Sequence, residues 1–193
     1  MKNVLIITAH PSSKGFTHKI AENYQLGALA AGQTVKLINL YDPENRQDYF
    51  EFEDIRNMPA NSKKECMQGL VTWADELVII YPLWWFNVPA ILKNFFDVNF
   101  SAGFAYKYRK FPVLKGIPVG MLAGKTARVF VTCDGSRFLY KLIFSPFKVS
   151  MKYFTLQFCG IKVKSFVIFD RMKWRDEGAR NSWLENVKKI AQT

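Results

Sequence analysis

Val4-Leu5-Ile6-Ile7-Thr8-Ala9-His10-Pro11-Ser12-Ser13-Lys14-Gly15-Phe16-Thr17-His18 passes from an unbroken apolar block, through a small polar loop, into a helix start. A short apolar run closed by a Pro/Ser/Gly loop reads as a strand buried on both faces, as in a parallel sheet covered by helices on both sides. The loop offers hydroxyls, Lys14 and Gly15 at a helix start, where free backbone N–H groups and the positive helix end favour a phosphate. Its spacing is neither GxxxxGK[ST] nor GxGxxG, which argues against nucleotide hydrolysis and dinucleotide-type Rossmann binding. Simple helix caps use the same small polar residues. His10 also suits a hydrogen-bonded structural role, and His18 an exposed helix position.

Working outward, the alternation of apolar run and amphipathic stretch recurs about five times. Strands are expected at residues 4–9, 34–39, 76–81, 127–132 and 165–169, with a short extended piece at 119–122. Helices are expected at about 17–30, 62–74, 88–100, 147–158 and 175–191. Gly32 would stop the first, and Ser62 with Glu65 forms a capping-box signature for the second. This order predicts an α/β fold over residues 1–193 as a single domain: a doubly wound five-stranded parallel sheet with helices on both faces. Such sheets bind ligands beyond the carboxyl ends of their strands, so chemistry is expected just after Ala9, Tyr81 and Thr132.

The loop after the third strand, Tyr81-Pro82-Leu83-Trp84-Trp85-Phe86-Asn87-Val88-Pro89-Ala90, sets three bulky aromatics between prolines. Aromatic clusters usually serve packing. Here the cluster falls outside a strand end, which favours one wall of an apolar slot for a flat ring. Pro82 and Pro89 restrict the backbone, and free N–H groups would face the ring's polar edge. The loop Thr132-Cys133-Asp134-Gly135-Ser136-Arg137 follows another strand. Gly135 permits close backbone approach and Thr132 supplies a hydroxyl, although any turn has this composition.

Bulk properties narrow the class further. No apolar run reaches the ~18 residues of a membrane span, and the start lacks a signal-peptide cleavage pattern, so a cytoplasmic location is expected. Cys66, Cys133 and Cys159 are odd in number and widely spaced, which suits free thiols in a reducing compartment and no metal site. The net charge is +11. Residues 1–102 carry 9 Lys/Arg against 11 Asp/Glu, whereas residues 103–140 carry 7 against 1 and residues 141–193 carry 11 against 4. A basic second half suits a phosphate-bearing cofactor or an anionic surface. Without an accompanying nucleic-acid motif, no nucleic-acid partner is expected.

The segment from Pro82-Leu83-Trp84-Trp85-Phe86-Asn87-Val88-Pro89-Ala90-Ile91-Leu92-Lys93 through Phe104-Ala105-Tyr106-Lys107-Tyr108 resembles the NAD(P)H:quinone oxidoreductases of DT-diaphorase type, in the flavodoxin-like superfamily. The likeness runs from the first strand to Cys159-Gly160-Ile161. It implies a flavin, FAD or FMN unresolved, with NAD(P)H as co-substrate. Two-electron quinone reduction by ping-pong hydride transfer through the flavin N5 would follow. His10, Gly15, Phe16 and Thr17 fall where the family holds flavin phosphates. Pro82, Leu83, Trp84, Trp85 and Phe86 fall along the isoalloxazine and ribityl, and Thr132, Cys133, Asp134 and Gly135 over the ring's other polar edge. Tyr106 and Tyr108 fall where a partner subunit lines the quinone pocket, which implies a homodimer with active sites at its interface. Two departures stand out. The family's Thr-Thr-Gly-Gly is Thr132-Cys133-Asp134-Gly135 here, so an acidic side chain is expected at the flavin edge. The stretch Tyr140-Lys141-Leu142-Ile143-Phe144-Ser145-Pro146 lacks the family's catalytic histidine, leaving Tyr140 as the catalytic candidate.

Two rival classes share the fold. A one-electron flavodoxin-type carrier is usually acidic, unlike this chain. An ancillary regulatory subunit of a potassium-efflux transporter would use basic residues such as Lys162, Lys164 and Arg171 near a membrane-associated partner. Azo or nitro reduction would be the same chemistry with another acceptor.

Overall fold

The structure, a computed structural model, describes residues 1–49, 51, 61–110, 115–142 and 145–193. Five parallel strands form one sheet in the order β2-β1-β3-β6-β7. They are β1 (Asn3–Thr8), β2 (Thr34–Asn39), β3 (Glu76–Pro82), β6 (Thr126–Thr132) and β7 (Lys162–Phe169). Counting only these strands, the order is the 2-1-3-4-5 of flavodoxin-type doubly wound sheets, as expected. Every residue of β3 is buried, which accounts for the apolar run Leu77–Ile80 that follows Glu76.

The strand pleat sends alternate side chains into two cores. Val4 and Ile6 of β1 meet Ile20, Ala21 and Tyr24 of α1 (Phe16–Ala30) and Leu184 and Val187 of α6 (Glu177–Ala191). Leu5 and Ile7 turn the other way, toward Met67 and Val71 of α2 (Ser62–Trp73) and Leu92 and Phe95 of α3 (Ala90–Asn99).

Several local expectations are corrected. Asn61, not Ser62, caps α2, its Oδ1 accepting from the Lys64 N–H at 2.9 Å. The β-region backbone of Asn61 makes it the cap, and Ser62 is already helical. The short piece expected at 119–122 belongs to a longer antiparallel hairpin, β4 (Tyr106–Lys110) with β5 (Lys115–Gly120). An unexpected helix, α4, covers Arg137–Leu142. The single helix expected at 147–158 is α5 (Pro146–Val149) running into a π-helix, Ser150–Gln157. There the Thr155 hydroxyl donates to the Ser150 carbonyl at 3.1 Å, five residues back, as suits the wider π turn. Among the described residues no helix is long and apolar enough to cross a membrane.

Candidate active site

The parallel register brings the carboxyl ends of β1, β3 and β6 side by side. The loops that leave them converge there.

After β1, the Ser12 N–H donates to His10 Nδ1 at 3.0 Å, which puts the ring proton of that tautomer on Nε2. Gly15 lets the loop close on this ring, since a Cβ there would lie 2.9 Å from His10 Cε1 and Nδ1. The His18 and Lys19 N–H groups turn back to the Gly15 carbonyl at 3.0 and 3.4 Å. The N–H groups of Phe16 and Thr17 have no acceptor among the described residues, so the positive end of α1 presents two free donors.

After β3, Leu83 extends the strand pairing, its N–H donating to the Thr132 carbonyl at 2.8 Å. Trp84 and Asn87 then exchange both backbone hydrogen bonds, at 3.1 and 2.9 Å, closing a two-residue turn. Its central residues, Trp85 and Phe86, have φ of 50° and 56°. Such turns favour Gly and Asn, and left-handed backbone costs a bulky residue ~1–2 kcal/mol. Trp84 faces His10 with ring centroids 6.3 Å apart, and Phe86 meets Tyr140 edge-on at 5.4 Å. Trp85 is 98% exposed.

After β6, the Cys133 N–H donates to the Phe169 carbonyl at 2.9 Å. A Cβ at Gly135 would overlap the Tyr140 hydroxyl, so only glycine lets that ring pass beneath the loop. Tyr140 is buried between Phe86 and Phe147, its hydroxyl set against Gly135, while the Cys133 thiol donates to the Gly135 and Phe169 carbonyls at 3.6 and 3.7 Å. Burial, together with Cys133, pushes that hydroxyl up to about 12. Burial also pushes the Cys133 thiol up to about 11, against the pull of the neighbouring Tyr140 hydroxyl. The Asp134 carboxylate, expected at the flavin edge, pairs with Lys173 Nζ at 3.1 Å.

One cleft of ≈ 260 Å³ gathers His10, Phe16, Thr17, Pro82, Leu83, Trp84, Thr132, Cys133 and Asp134. Gly15, Trp85, Phe86, Gly135 and Tyr140 support its walls or stand at its edge without lining it. Met172 also lines it and escaped sequence reasoning. It follows the end of β7, so the strand-end rule applied to the fifth strand would have found it. Tyr106 instead lines a second, apolar cavity of ≈ 670 Å³ with Phe154 and Phe158, between α3 and the π-helix. Tyr108 stacks edge-on against Tyr106 at 5.6 Å and is exposed.

The cleft suits part of a flavin: free helix-end N–H groups for a phosphate, and an aromatic wall opposite a glycine-bearing loop for a ring edge. Its volume is below the ~300–1,000 Å³ of sites that enclose a whole ligand, so these walls embrace only a portion of such a molecule. The cations named for a docking surface are partly engaged within the chain. Lys164 Nζ lies 3.6 Å from Glu76, and Arg171 Nε 3.2 Å from Asp170.

Comparison with known proteins gives concordant results. Residues 2–192 match the family described by a flavodoxin-like fold. A Haemophilus influenzae protein named as an uncharacterized NAD(P)H oxidoreductase is 31% identical over 195 residues, spanning 95% of this chain and 91% of the relative. The Mus musculus ribosyldihydronicotinamide dehydrogenase [quinone] is 29% identical over 218 residues, spanning 98% and 92%. The solved NAD(P)H:quinone oxidoreductase from Methanothermobacter marburgensis superposes with a TM-score of 0.80 at 25% identity, spanning 99% of this chain and 96% of that one.

Proposed function

The chain belongs to the flavodoxin-like fold family, and on that premise we propose that it is a flavin-dependent NAD(P)H oxidoreductase that reduces quinones or similar acceptors. The observation that carries this reading is the convergence of the three strand-end loops on one cleft, with the Phe16 and Thr17 N–H groups, unpaired among the described residues, on one side and the Trp84–Asn87 turn on another. The NAD(P)H and quinone chemistry is supported by the relatives' names.

In this reading Phe16 and Thr17 N–H groups, with Gly15 and His10, hold the phosphate. Pro82, Leu83 and Trp84 position the ring and its ribityl, with Trp85 and Phe86 completing the apolar wall. Thr132, Cys133, Asp134 and Gly135 close the opposite edge. When bound, a flavin would supply two-electron chemistry between NAD(P)H and the acceptor, read here as ping-pong hydride transfer through N5. The protein's part is to hold reacting atoms ~3–3.5 Å apart and to exclude water. Tyr140 packs against Gly135 in the loop beside the ring edge and is the side chain read as assisting charge there. Because the cleft is only part of an enclosure, a second copy is inferred to complete it, with Tyr106 and Tyr108 lining the acceptor side of its partner's site. A single unit spanning residues 1–193 and a reducing, cytoplasmic setting complete the reading. The setting is supported by the three unpaired thiols.

The test is reconstitution with FMN and with FAD, followed by NAD(P)H-dependent reduction of a simple quinone. The expected result is a yellow protein with parallel lines in double-reciprocal plots, the signature of ping-pong turnover. Heat release and weighing of the flavin identifies it. A colourless protein that takes up neither flavin overturns the reading, and flavin binding without quinone turnover reduces it to a carrier.

A further inference from the structure

Among the described residues that line the cleft, Asp134 is the only acidic side chain, and none is a lysine or arginine. A carboxylate there opposes what the cleft is read to hold, since a phosphate is anionic and a flavin ring gains negative charge on reduction.

The carboxylate is not left alone. Lys173 Nζ lies 3.1 Å from Asp134 Oδ2. The lysine sits on a single 3₁₀ turn, Met172–Trp174, just beyond β7. That turn is fastened to the Asp134 loop by two backbone hydrogen bonds, from Met172 N–H to the Cys133 carbonyl at 3.1 Å and from Arg171 N–H to the Gly135 carbonyl at 3.4 Å. Arg171 enters the turn in the left-handed region, with φ of 53°. The other two basic residues of this stretch are taken by a different carboxylate: Arg171 Nε and Arg175 Nη2 lie 3.2 and 2.9 Å from Asp170. Asp170 is itself fixed by the Arg137 N–H at 3.1 Å. The backbone therefore delivers one lysine to one cleft-lining carboxylate.

We infer that Lys173 is the counter-charge of the cleft: by neutralising Asp134 it sets the affinity for an anionic flavin group and raises the potential at which the bound ring is reduced. The inference rests on the flavin reading above. Lys173 is a positioning and electrostatic residue that acts through Asp134. An exposed pair of this kind adds little to stability, so its consequence is the sign of charge at the rim.

The test compares the full chain with Lys173→Ala, Asp134→Asn and the double variant, each reconstituted with FMN and with FAD. The readouts are the dissociation constant of the oxidised flavin and the midpoint potential of the bound flavin. Lys173→Ala is expected to weaken reduced flavin relative to oxidised by about fivefold at low salt. That ratio corresponds to a two-electron potential ~21 mV lower, at 29.6 mV per tenfold. Adding Asp134→Asn should restore the native potential, because no charge then needs neutralising. The difference should shrink near 1 M salt, where the screening length is ~3 Å. An unchanged potential in Lys173→Ala with flavin bound, or no restoration in the double variant, overturns this assignment alone. Failure of every form to bind flavin overturns it together with the reading it rests on.

Discussion

Trp85 and Phe86 occupy a backbone conformation that glycine and asparagine adopt readily and bulky aromatics do not. The hydrogen-bonded pair Trp84 and Asn87 holds them there, and the strain is concentrated where the cleft opens. Strain alone, without compensating burial, marks Trp85, which is almost wholly exposed. Replacing it with glycine relieves ~1–2 kcal/mol of left-handed strain and costs ~0.5–1 kcal/mol of chain entropy. Trp85→Gly is therefore expected to raise Tm by about 1–4 °C while lowering quinone turnover, since the apolar wall loses its outermost ring. A melting curve with a steady-state assay checks both, and a lower Tm would contradict the strain account. Tyr140 presents the opposite case, a functional candidate whose hydroxyl is buried against Cys133 and Gly135.

At the scale of elements, the contact between α1 and α6 is closer than side chains normally permit. A Cβ at Gly27 would overlap the Lys188 carbonyl oxygen and lie 2.9 Å from Ala191 Cβ. Helix propensity alone says Gly27→Ala should stabilise by ~1 kcal/mol. The obstruction is backbone, which cannot turn aside, so an overpacking cost of ~1–3 kcal/mol opposes that gain. The net expectation is destabilisation of up to ~2 kcal/mol, read as a lower urea midpoint with an unchanged slope. An increase in the midpoint would mean that the helices separate at no cost. The end of α2 is held differently, by Lys125 Nζ donating to the Thr72 and Ala74 carbonyls at 2.8 and 2.6 Å.

For the whole molecule, the amino ends of the central strands, opposite the cleft, carry the principal buried charge. Glu76 is fully buried at the start of β3, where Tyr24 donates to it at 2.6 Å. Lys2, Arg128 and Lys164 lie 3.0, 3.3 and 3.6 Å from its oxygens, joining β1, β3, β6 and β7. Burial pushes the carboxyl up, but the Tyr24 hydroxyl, the Lys2 ammonium and the Arg128 guanidinium outweigh it and hold it below the ordinary range. A depressed carboxylate contributes stability in full above its unfolded value, near 4.5, and loses it as pH falls through the folded value. Stability should therefore fall below about pH 4.5, aggravated by a net charge of +11 that grows in acid. Glu76→Gln leaves cations unpaired and is expected to cost ~3–5 kcal/mol at neutral pH. The same variant should flatten the acid limb of a stability–pH curve, and an unaltered limb would show that Glu76 does not set it. The network also means that reversing Lys164 would disturb folding before it tested any docking surface.

Apolar periodicity by itself determined the five parallel strands and the helices on both faces, because a strand buried on both sides needs an apolar interior, as Val4–Ile7 of β1 and Leu77–Ile80 of β3 have. Nine of the thirteen residues named for the cofactor line the cleft for a related reason: strand ends are readable, and a parallel sheet sets its carboxyl ends side by side. The hairpin of β4 and β5 was illegible, since Lys107, Arg109, Gly116 and Pro118 interrupt any apolar run. So was the π-helix, which shares its apolar composition with an α-helix. Left-handed Trp85 and Phe86 contradict local preference outright, and only the surrounding hydrogen bonds decide them. The pairing of Asp134 with Lys173, and of Glu76 with Lys2, Arg128 and Lys164, belongs wholly to the tertiary structure. Local patterning encodes which side chains are buried, whereas the partner of a charge depends on which distant strand ends the sheet order makes neighbours.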